Sequence, residues 1–199
     1  MSTVLDNVRS ALAARKEKAP YPAWEDAEVV STPKLAQGSL VDCFSANMKA
    51  VSGLVMHSVA EVEQFLAQGH HLHGYCAPEL AEVIGTKLGA GITFSTDFDE
   101  ACYDDYTFGI TRATAAIAES GTIVLNDRDT SCRLGALTPW VHIAVVEAAT
   151  IHRTLGAAIA ALGDDPNTIW VTGPSKTADV EGILIQGVHG PGIQIALIV

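Results

Sequence analysis

Val141-His-Ile-Ala-Val-Val146 is an almost uninterrupted apolar run, and Gly121-Thr-Ile-Val-Leu-Asn126 is a second one. Short runs that are rich in β-branched residues predict strands buried on both faces. The segments between such runs carry apolar residues at helical spacing. Because strands that alternate with helices are typical of α/β proteins, we predict a mostly parallel sheet with helices on both faces.

The rest of the chain fits the same alternation. Ser58 and Glu61 have the spacing of a capping box and open a predicted helix, and Pro78 suits the first turn of another. The other predicted helices cover residues 35–50, 151–162 and 177–186. The predicted strands cover residues 53–57, 75–77, 92–95, 106–111, 121–126, 141–146, 168–172 and 193–199.

The length and composition suit one α/β domain with a short N-terminal extension. The chain has 199 residues, of which 48% are hydrophobic and 18% are charged. Residues 1–34 contain an amphipathic helical pattern followed by a proline-rich stretch, so we predict an N-terminal helix and an extended connection there. Residues 35–199 form the predicted domain, and no linker-like stretch divides them.

Charge and cysteine usage exclude several classes of protein. A net charge of −11 disfavours non-specific nucleic-acid binding. No apolar run approaches the about 20 residues that span a bilayer, and the N-terminus lacks the apolar region of a signal peptide. The sequence therefore predicts a soluble, cytoplasmic protein with reduced thiols. The four cysteines are isolated, without a C-x-x-C pair, so we expect no metal site in this chain.

The segment Thr172-Gly-Pro-Ser-Lys-Thr-Ala-Asp-Val-Glu181 follows directly on a predicted strand. Its glycine–proline pair predicts a sharp turn, and its hydroxyl residues predict the cap of a following helix, whose free N–H groups can hold a carboxylate or a phosphate. The alternative is an ordinary capped turn in which the acidic residues complement the helix dipole. The candidate ligand-binding residues here are Ser175, Lys176, Thr177, Asp179 and Glu181.

Two further segments contain candidate catalytic residues. Glycines flank His189 in Gly187-Val-His-Gly-Pro191, so this imidazole is a candidate proton shuttle or hydrogen-bond donor, or else part of a simple glycine-rich turn. Glu119 precedes small residues and a buried strand, where it can act as a nucleophile or base, or cap a local turn.

Three other residues are singled out by their type and position. His142 lies inside an apolar strand, where a lone histidine is more often a hydrogen-bonded core residue than a catalyst. Arg112 and Arg133 are candidate anion anchors, because basic residues are scarce in this chain.

Four motifs in fixed order resemble the LUD-domain family over about residues 50–199. They are A-I-A-E-S-G-T (116–122), P-W-V-H-I-A-V-V (139–146), G-P-S-K-T-A-D-V-E (173–181) and G-V-H-G-P (187–191). The resemblance implies a three-layer α/β fold similar to the ribose-phosphate isomerase and CoA-transferase group. It also implies a role in bacterial oxidation of L-lactate to pyruvate, beside iron–sulfur partner proteins that carry the clusters.

The sequence departs from that family in two places. The family often places a basic residue just after the H-G-P turn, whereas this chain has Gly192. Before His142, relatives commonly show a small or aromatic residue after paired prolines, whereas this chain has Trp140 and Val141 after a single proline.

The leading hypothesis is a component of an L-lactate utilisation system that binds a small anion, such as lactate or pyruvate, or a partner protein. Both glycine-containing turns are expected at one edge of the parallel sheet, where α/β proteins bind ligands at the carboxyl ends of strands. One alternative is a stand-alone acyl- or CoA-transferase-like enzyme that uses Glu119. Another is a non-catalytic assembly subunit, and the oligomeric state, including a homo-oligomer, stays open.

Overall fold

A computed structural model of the protein describes residues 3–13, 38–130, 132–163, 167–179 and 182–199. Internal contacts divide the chain into two units, Met1–Ala36 and Gln37–Val199. In the first unit, helix α1 spans Val4–Ala13, within the segment for which the sequence predicts an N-terminal helix. The Thr3 N–H donates to Asp6 Oδ2 at 3.0 Å, and the Asp6 N–H donates back to Thr3 Oγ1 at 3.3 Å. The predicted extended connection lies outside the described residues.

The second unit contains the α/β domain. Its helices are α2 (Leu40–Ala50), α3 (Val59–Gln68), α4 (Pro78–Ala81), α5 (Arg133–Leu137) and α6 (Leu155–Leu162). Its strands are β1 (Leu54–Met56), β2 (His73–Cys76), β3 (Thr93–Ser95), β4 (Phe108–Arg112), β5 (Ala115–Ile117), β6 (Thr122–Asn126), β7 (Val141–Val146), β8 (Ile151–His152), β9 (Thr168–Thr172), β10 (Lys176–Thr177), β11 (Ile185–Gln186) and β12 (Ile193–Ile198). None of the helices within the described ranges has the length and apolar character needed to cross a membrane.

A six-stranded sheet in the order β1-β12-β7-β4-β2-β3 forms the centre of the domain. All five of its strand pairs are parallel. Every residue of β7 is buried, which explains why the 141–146 run is continuously apolar rather than alternating. The predicted α/β fold with a parallel central sheet and helices is therefore confirmed.

Side chains on the two faces of this sheet form two separate cores. In β7, Ile143 and Val145 point to one face, where α3 and α4 pack. Ala144 and Val146 point to the other face, where α2 packs. This alternation follows from the two-residue period of a strand. Helix α2, which precedes β1, thus covers one face of the sheet, and α3 and α4, which follow β1, cover the other.

A second sheet, in the order β8-β5-β6-β9, shares the second core with α2. The pairs β5–β6 and β6–β9 are antiparallel, so the prediction that β6 and β9 lie in the parallel sheet was wrong. Ile123 and Leu125 of β6 face the second core, and Val124 packs outward with Ala158 of α6. All residues of β6 are buried because the strand is covered on both sides, and burial alone does not encode the pairing direction.

The predicted helix over residues 177–186 was also wrong. The chain forms a hairpin there, in which Lys176 pairs with Gln186 and Thr177 with Ile185. Locally, Thr177 Oγ1 donates to Asp179 Oδ2 at 2.6 Å, a side-chain bond that competes with helix formation. The predicted helix over residues 151–162 begins later than expected, because β8 comes first and α6 starts at Leu155.

Three buried polar side chains form a line across the middle of the parallel sheet. His142 Nε2 lies 2.9 Å from Thr111 Oγ1, and His142 Nδ1 lies 2.9 Å from Gln194 Oε1. Because an amide oxygen only accepts, Nδ1 carries the proton and Nε2 accepts from the threonine hydroxyl. Burial lowers the pKa of His142 to about 4, so the ring is neutral at pH 7. His142 is a hydrogen-bonded core residue, as its sequence context indicated.

The neutral imidazole predicts a specific loss of stability in acid. The folded chain protonates His142 near pH 4 and the unfolded chain near pH 6.5, so between these values only the unfolded state gains the proton. The stability that the neutral ring contributes is complete above pH 6.5 and is lost as the pH falls towards 4. Between pH 7 and pH 4 we expect the free energy of unfolding to fall by about 3 kcal/mol more in the wild type than in His142→Gln.

Urea unfolding at a series of pH values measures this difference directly. The matched substitution at exposed His57 should leave the wild-type pH dependence unchanged. Parallel pH profiles for the wild type and His142→Gln would contradict the assignment of a buried neutral ring.

Candidate functional site

The two glycine-containing motifs of the C-terminal half meet on one surface, which we call the GPS–HGP surface (residues 173–175 and 189–191). The Ser175 N–H donates to the Pro191 carbonyl at 2.9 Å, and the Gly187 N–H donates to the Ser175 carbonyl at 2.9 Å. Both motifs line a cavity of about 250 Å³. The expectation that the two motifs lie together is therefore correct.

The edge of the sheet at which they meet differs from the prediction. Residues 189–191 directly precede β12, and β12 and β7 run parallel from their first residues, Ile193 and Val141. The GPS–HGP surface thus lies at the amino ends of these strands, whereas we expected the carboxyl ends. Residues 173–175 reach it from β9, which belongs to the second sheet.

Lys176 is engaged in the fold rather than in the cavity. Its ammonium donates to the Val51 carbonyl at 2.8 Å and to Ser52 Oγ at 3.1 Å. Val51 is the C-cap of α2, so the lysine charge complements the negative end of that helix. Since no helix follows residue 175 directly, the predicted cradle of helix N–H groups is also missing. The predicted anion site therefore does not form at this cavity, because neither Lys176 nor a helix N-terminus lines it.

Of the predicted residues in these motifs, Ser175 and His189 line the same cavity. His189 is exposed, as expected from the glycines around it. Thr177 and Asp179 bond to each other on the hairpin instead. Glu181 lies outside the described residues. The structure therefore brings Ser175 and His189 together at one cavity, which Thr177 and Asp179 do not line.

Gln194 is a cavity residue that the sequence reasoning missed. It is 1% exposed, lines the cavity and accepts the hydrogen bond from His142. The hydrogen bond from His142 thus fixes the orientation of the Gln194 amide. The signal that could have found it is its position as the only polar residue of the run 193–199. No lysine, arginine, aspartate or glutamate is among the described residues that line this cavity.

Trp140 connects the two departures from the family pattern. A Cβ at either Gly187 or Gly192 would lie closer than 3.0 Å to atoms of the Trp140 ring. Gly187 also has a φ of +79°, which favours glycine. Because the indole occupies the space above Gly192, a basic side chain cannot extend from that position over the ring. The tryptophan at 140 and the glycine at 192 are therefore complementary.

Glu119 caps a helix. Its carboxylate accepts the Leu155 N–H, the first of α6, at 2.5 Å, which corresponds to the capping alternative in the sequence analysis. It borders a separate, mainly apolar cavity of about 530 Å³ that shares Trp170 and Thr172 with the GPS–HGP cavity. Three hydroxyl groups line this cavity. Thr122 Oγ1 lies 2.7 Å from Ser120 Oγ and 2.7 Å from Thr172 Oγ1.

The remaining candidates lie in other places. Arg133 forms an ion pair with Asp127 at 2.8 Å, and Arg112 pairs with Glu147.

Burial raises the pKa of the Cys76 thiol to about 12, so this cysteine is protonated at neutral pH and is a poor nucleophile. Over the described ranges, no group of three or more histidine, cysteine, aspartate or glutamate residues is arranged to hold a metal ion.

The Trp140–Gly192 contact predicts a coupled pair of substitutions. Gly192→Ala should lower the free energy of unfolding by about 1–2 kcal/mol, because the new methyl group overlaps the indole. In a Trp140→Ala background the same substitution should cost less than about 0.5 kcal/mol, and a double-mutant cycle in urea measures the difference. Gly156→Ala in α6 is the control, since a Cβ there meets nothing within 4 Å. Equal costs in both backgrounds would show that the ring is not the obstacle.

Three relatives of known name share part of this chain. A lactate utilization protein C from Bacillus licheniformis is 36% identical over 115 residues, which cover 54% of this chain and 48% of that protein. A lactate utilization protein C from Deinococcus radiodurans is 36% identical over 87 residues, or 41% of each chain. One from Exiguobacterium is 42% identical over 91 residues, covering 42% of this chain and 40% of that protein. This chain thus spans less than half the length of these relatives.

A solved structure and a family model complete the comparison. The crystal structure of a DUF162 family protein from Deinococcus radiodurans superposes with a TM-score of 0.58 at 22% identity, covering 89% of this chain and 100% of that one. At this identity the match supports the fold alone. The model of the LUD domain matches residues 100–199, a range that contains β7, β12 and the whole GPS–HGP surface. This chain therefore belongs to the LUD-domain family.

Proposed function

We propose that this protein is a cytoplasmic component of a bacterial L-lactate utilisation system and that the GPS–HGP surface is its contact with another component. The similarity to proteins named lactate utilization protein C supports the system. The observation that carries the assignment of the surface is that two motifs of the matched LUD region, residues 173–175 and 189–191, are bonded together around one open cavity.

The chemistry of the surface favours a partner over a small anion. Its cavity is lined by apolar residues, hydroxyl groups, the Gln194 amide and the His189 imidazole. A small anion is usually held by arginine, lysine or a helix N-terminus, and Lys176 is bonded to the end of α2. An exposed imidazole beside proline and tryptophan suits a protein interface with few charges at its centre.

Partner proteins that carry iron–sulfur clusters fit this proposal. Oxidation of L-lactate to pyruvate releases two electrons and two protons, and clusters bound by cysteine thiolates are suited to accept the electrons. In this chain the cysteines lie on separate elements. Cys43 is in α2, Cys76 ends β2, and Cys132 caps α5. In the proposed division of labour, the partners carry the clusters and this subunit docks on them.

Deletion of the gene tests the system, and one substitution tests the surface. We expect the deletion strain to lose growth on L-lactate while it keeps growth on pyruvate, the product of the oxidation. The wild-type gene should restore growth, and His189→Ala should restore it poorly and recover less cluster-containing protein when the tagged chain is purified. The control His57→Ala removes another exposed imidazole and should behave as the wild type. Unimpaired growth of the deletion strain on L-lactate would refute the proposal.

Glu119 provides the test of the transferase alternative. Because its carboxylate caps α6, Glu119→Ala should lower the free energy of unfolding by about 1 kcal/mol. Glu119→Gln keeps an acceptor oxygen and should cost less. Both variants should still support growth on L-lactate, as measured by complementation of the deletion strain. A covalent acyl adduct on Glu119 after incubation with an acyl-CoA would instead establish the transferase chemistry.

A further inference from the structure

A charged crevice lies at the carboxyl edge of the parallel sheet, the opposite edge from the GPS–HGP surface. It is a cavity of about 250 Å³ lined by Glu79, Arg112, Arg128 and Asp129. Arg112 is the last residue of β4, and Glu79 follows three residues after the end of β2. Because β2 and β4 are parallel neighbours, both residues mark the same edge. Strands of five residues rise about 16 Å, so the two edges are well separated.

The strand order places a topological switch point at this crevice. In the sheet order β1-β12-β7-β4-β2-β3, the chain leaves β2 outward to β3, whereas after β4 it passes through β5 and β6 of the second sheet and returns to the parallel sheet on the other side of β4, as β7. Connections that diverge from neighbouring parallel strands leave a gap between them, and α/β proteins bind small molecules in such gaps at the carboxyl ends of the strands. The crevice therefore occupies the position where this fold class has room for a ligand.

Two of the few basic residues of this acidic domain lie at the crevice, beside two carboxylates. Residues 38–199 contain seven lysine and arginine residues, and two of them line this cavity. The seven are Lys49, Lys87, Arg112, Arg128, Arg133, Arg153 and Lys176. Arg112 is held by its ion pair with Glu147, and its guanidinium has further N–H groups to offer. Arg128 is exposed and makes no ion pair with the described part of the chain.

The crevice continues into a second cavity of about 340 Å³, which shares Arg128 and Asp129 with the first. Its other polar lining residues are Thr114, Asn126, Thr150 and His152. A ligand bound between the arginines thus has hydroxyl, amide and imidazole groups within the adjoining space. The site has room for more than a single inorganic ion.

We propose that this crevice binds a small organic acid through its carboxylate and through a hydrogen-bond donor on the adjacent carbon. The guanidinium groups of Arg112 and Arg128 match a carboxylate. Glu79 and Asp129 line the same space and only accept hydrogen bonds when ionised, so the ligand supplies a hydroxyl or an amino group to them. The ligand class is therefore a 2-hydroxy or 2-amino acid. This site is independent of the docking function proposed for the GPS–HGP surface.

Calorimetric titration of the purified full chain with L-lactate, L-alanine, pyruvate and inorganic phosphate tests the ligand class. We expect L-lactate or L-alanine to bind at least about tenfold more tightly than pyruvate, which lacks the donor. Which of the two binds more tightly identifies the donor as hydroxyl or amino. Phosphate should bind weakly, because its charged oxygens face the two carboxylates. Absence of binding by both acids, or equal binding of pyruvate, would overturn the proposal.

Arginine substitutions test the position of the site. Arg112→Gln and Arg128→Gln should each weaken binding of the preferred acid by about tenfold or more. Arg9→Gln is the matched control, because it removes the same charge from an arginine of α1 that pairs with Asp6, and it should leave binding unchanged. Arg128→Gln decides the result if Arg112→Gln unfolds. Binding that survives both crevice variants but is lost in His189→Ala would place the ligand on the GPS–HGP surface and refute this site.

Discussion

β12 pairs with β7 in parallel from Ile193↔Val141 to Ile198↔Val146, and β7 is buried along its whole length. This register determines where the functional surface lies. It places Gln194 opposite His142, so that the amide and the imidazole bond within the sheet. A slip by one residue would turn Gln194 to the other face and leave two buried polar groups without partners, at a cost of about 1–3 kcal/mol each. The residues that precede β12 are therefore fixed against those that precede β7, and Trp140 meets Gly187 and Gly192.

The second sheet brings the other half of that surface into place. β6 and β9 pair along five residues, and β6 is enclosed between the second core and α6. β9 therefore ends at the amino edge of the parallel sheet, although the two sheets share no strand. Gly173, with a φ of +72°, then turns the chain so closely over Val51 that a Cβ would clash with its carbonyl. Lys176 bonds to the same carbonyl, which holds the hairpin against the end of α2.

Local patterns predicted the elements better than they predicted the connections. The strands at 141–146 and 168–172 have the predicted boundaries, because a short apolar run rich in β-branched or aromatic residues indicates a strand. The same signal could not assign β6 and β9 to an antiparallel sheet, since an apolar run has the same pattern for either direction of pairing. The predicted helix over 177–186 failed because its apolar residues Ile183 and Leu184 do not face a core; they are 60% and 62% exposed. The sequence predicted that the two motifs lie together. It did not predict at which edge of the parallel sheet they lie, because their position depends on the second sheet.

The two edges of the parallel sheet offer different chemistry. At the amino edge the described lining residues of the GPS–HGP cavity are neutral or imidazole, and the nearest lysine of the motif is bonded to a helix end. At the carboxyl edge two arginines and two carboxylates line one crevice at a switch point of the chain. A small anion gains from guanidinium groups that can pair with its carboxylate, whereas a protein interface gains from apolar and aromatic surface with few charges to desolvate. We therefore assign recognition of a partner to the amino edge and recognition of a small acid to the carboxyl edge. In this arrangement the sequence motifs that identify the family and the proposed ligand site lie at opposite ends of the strands of one sheet.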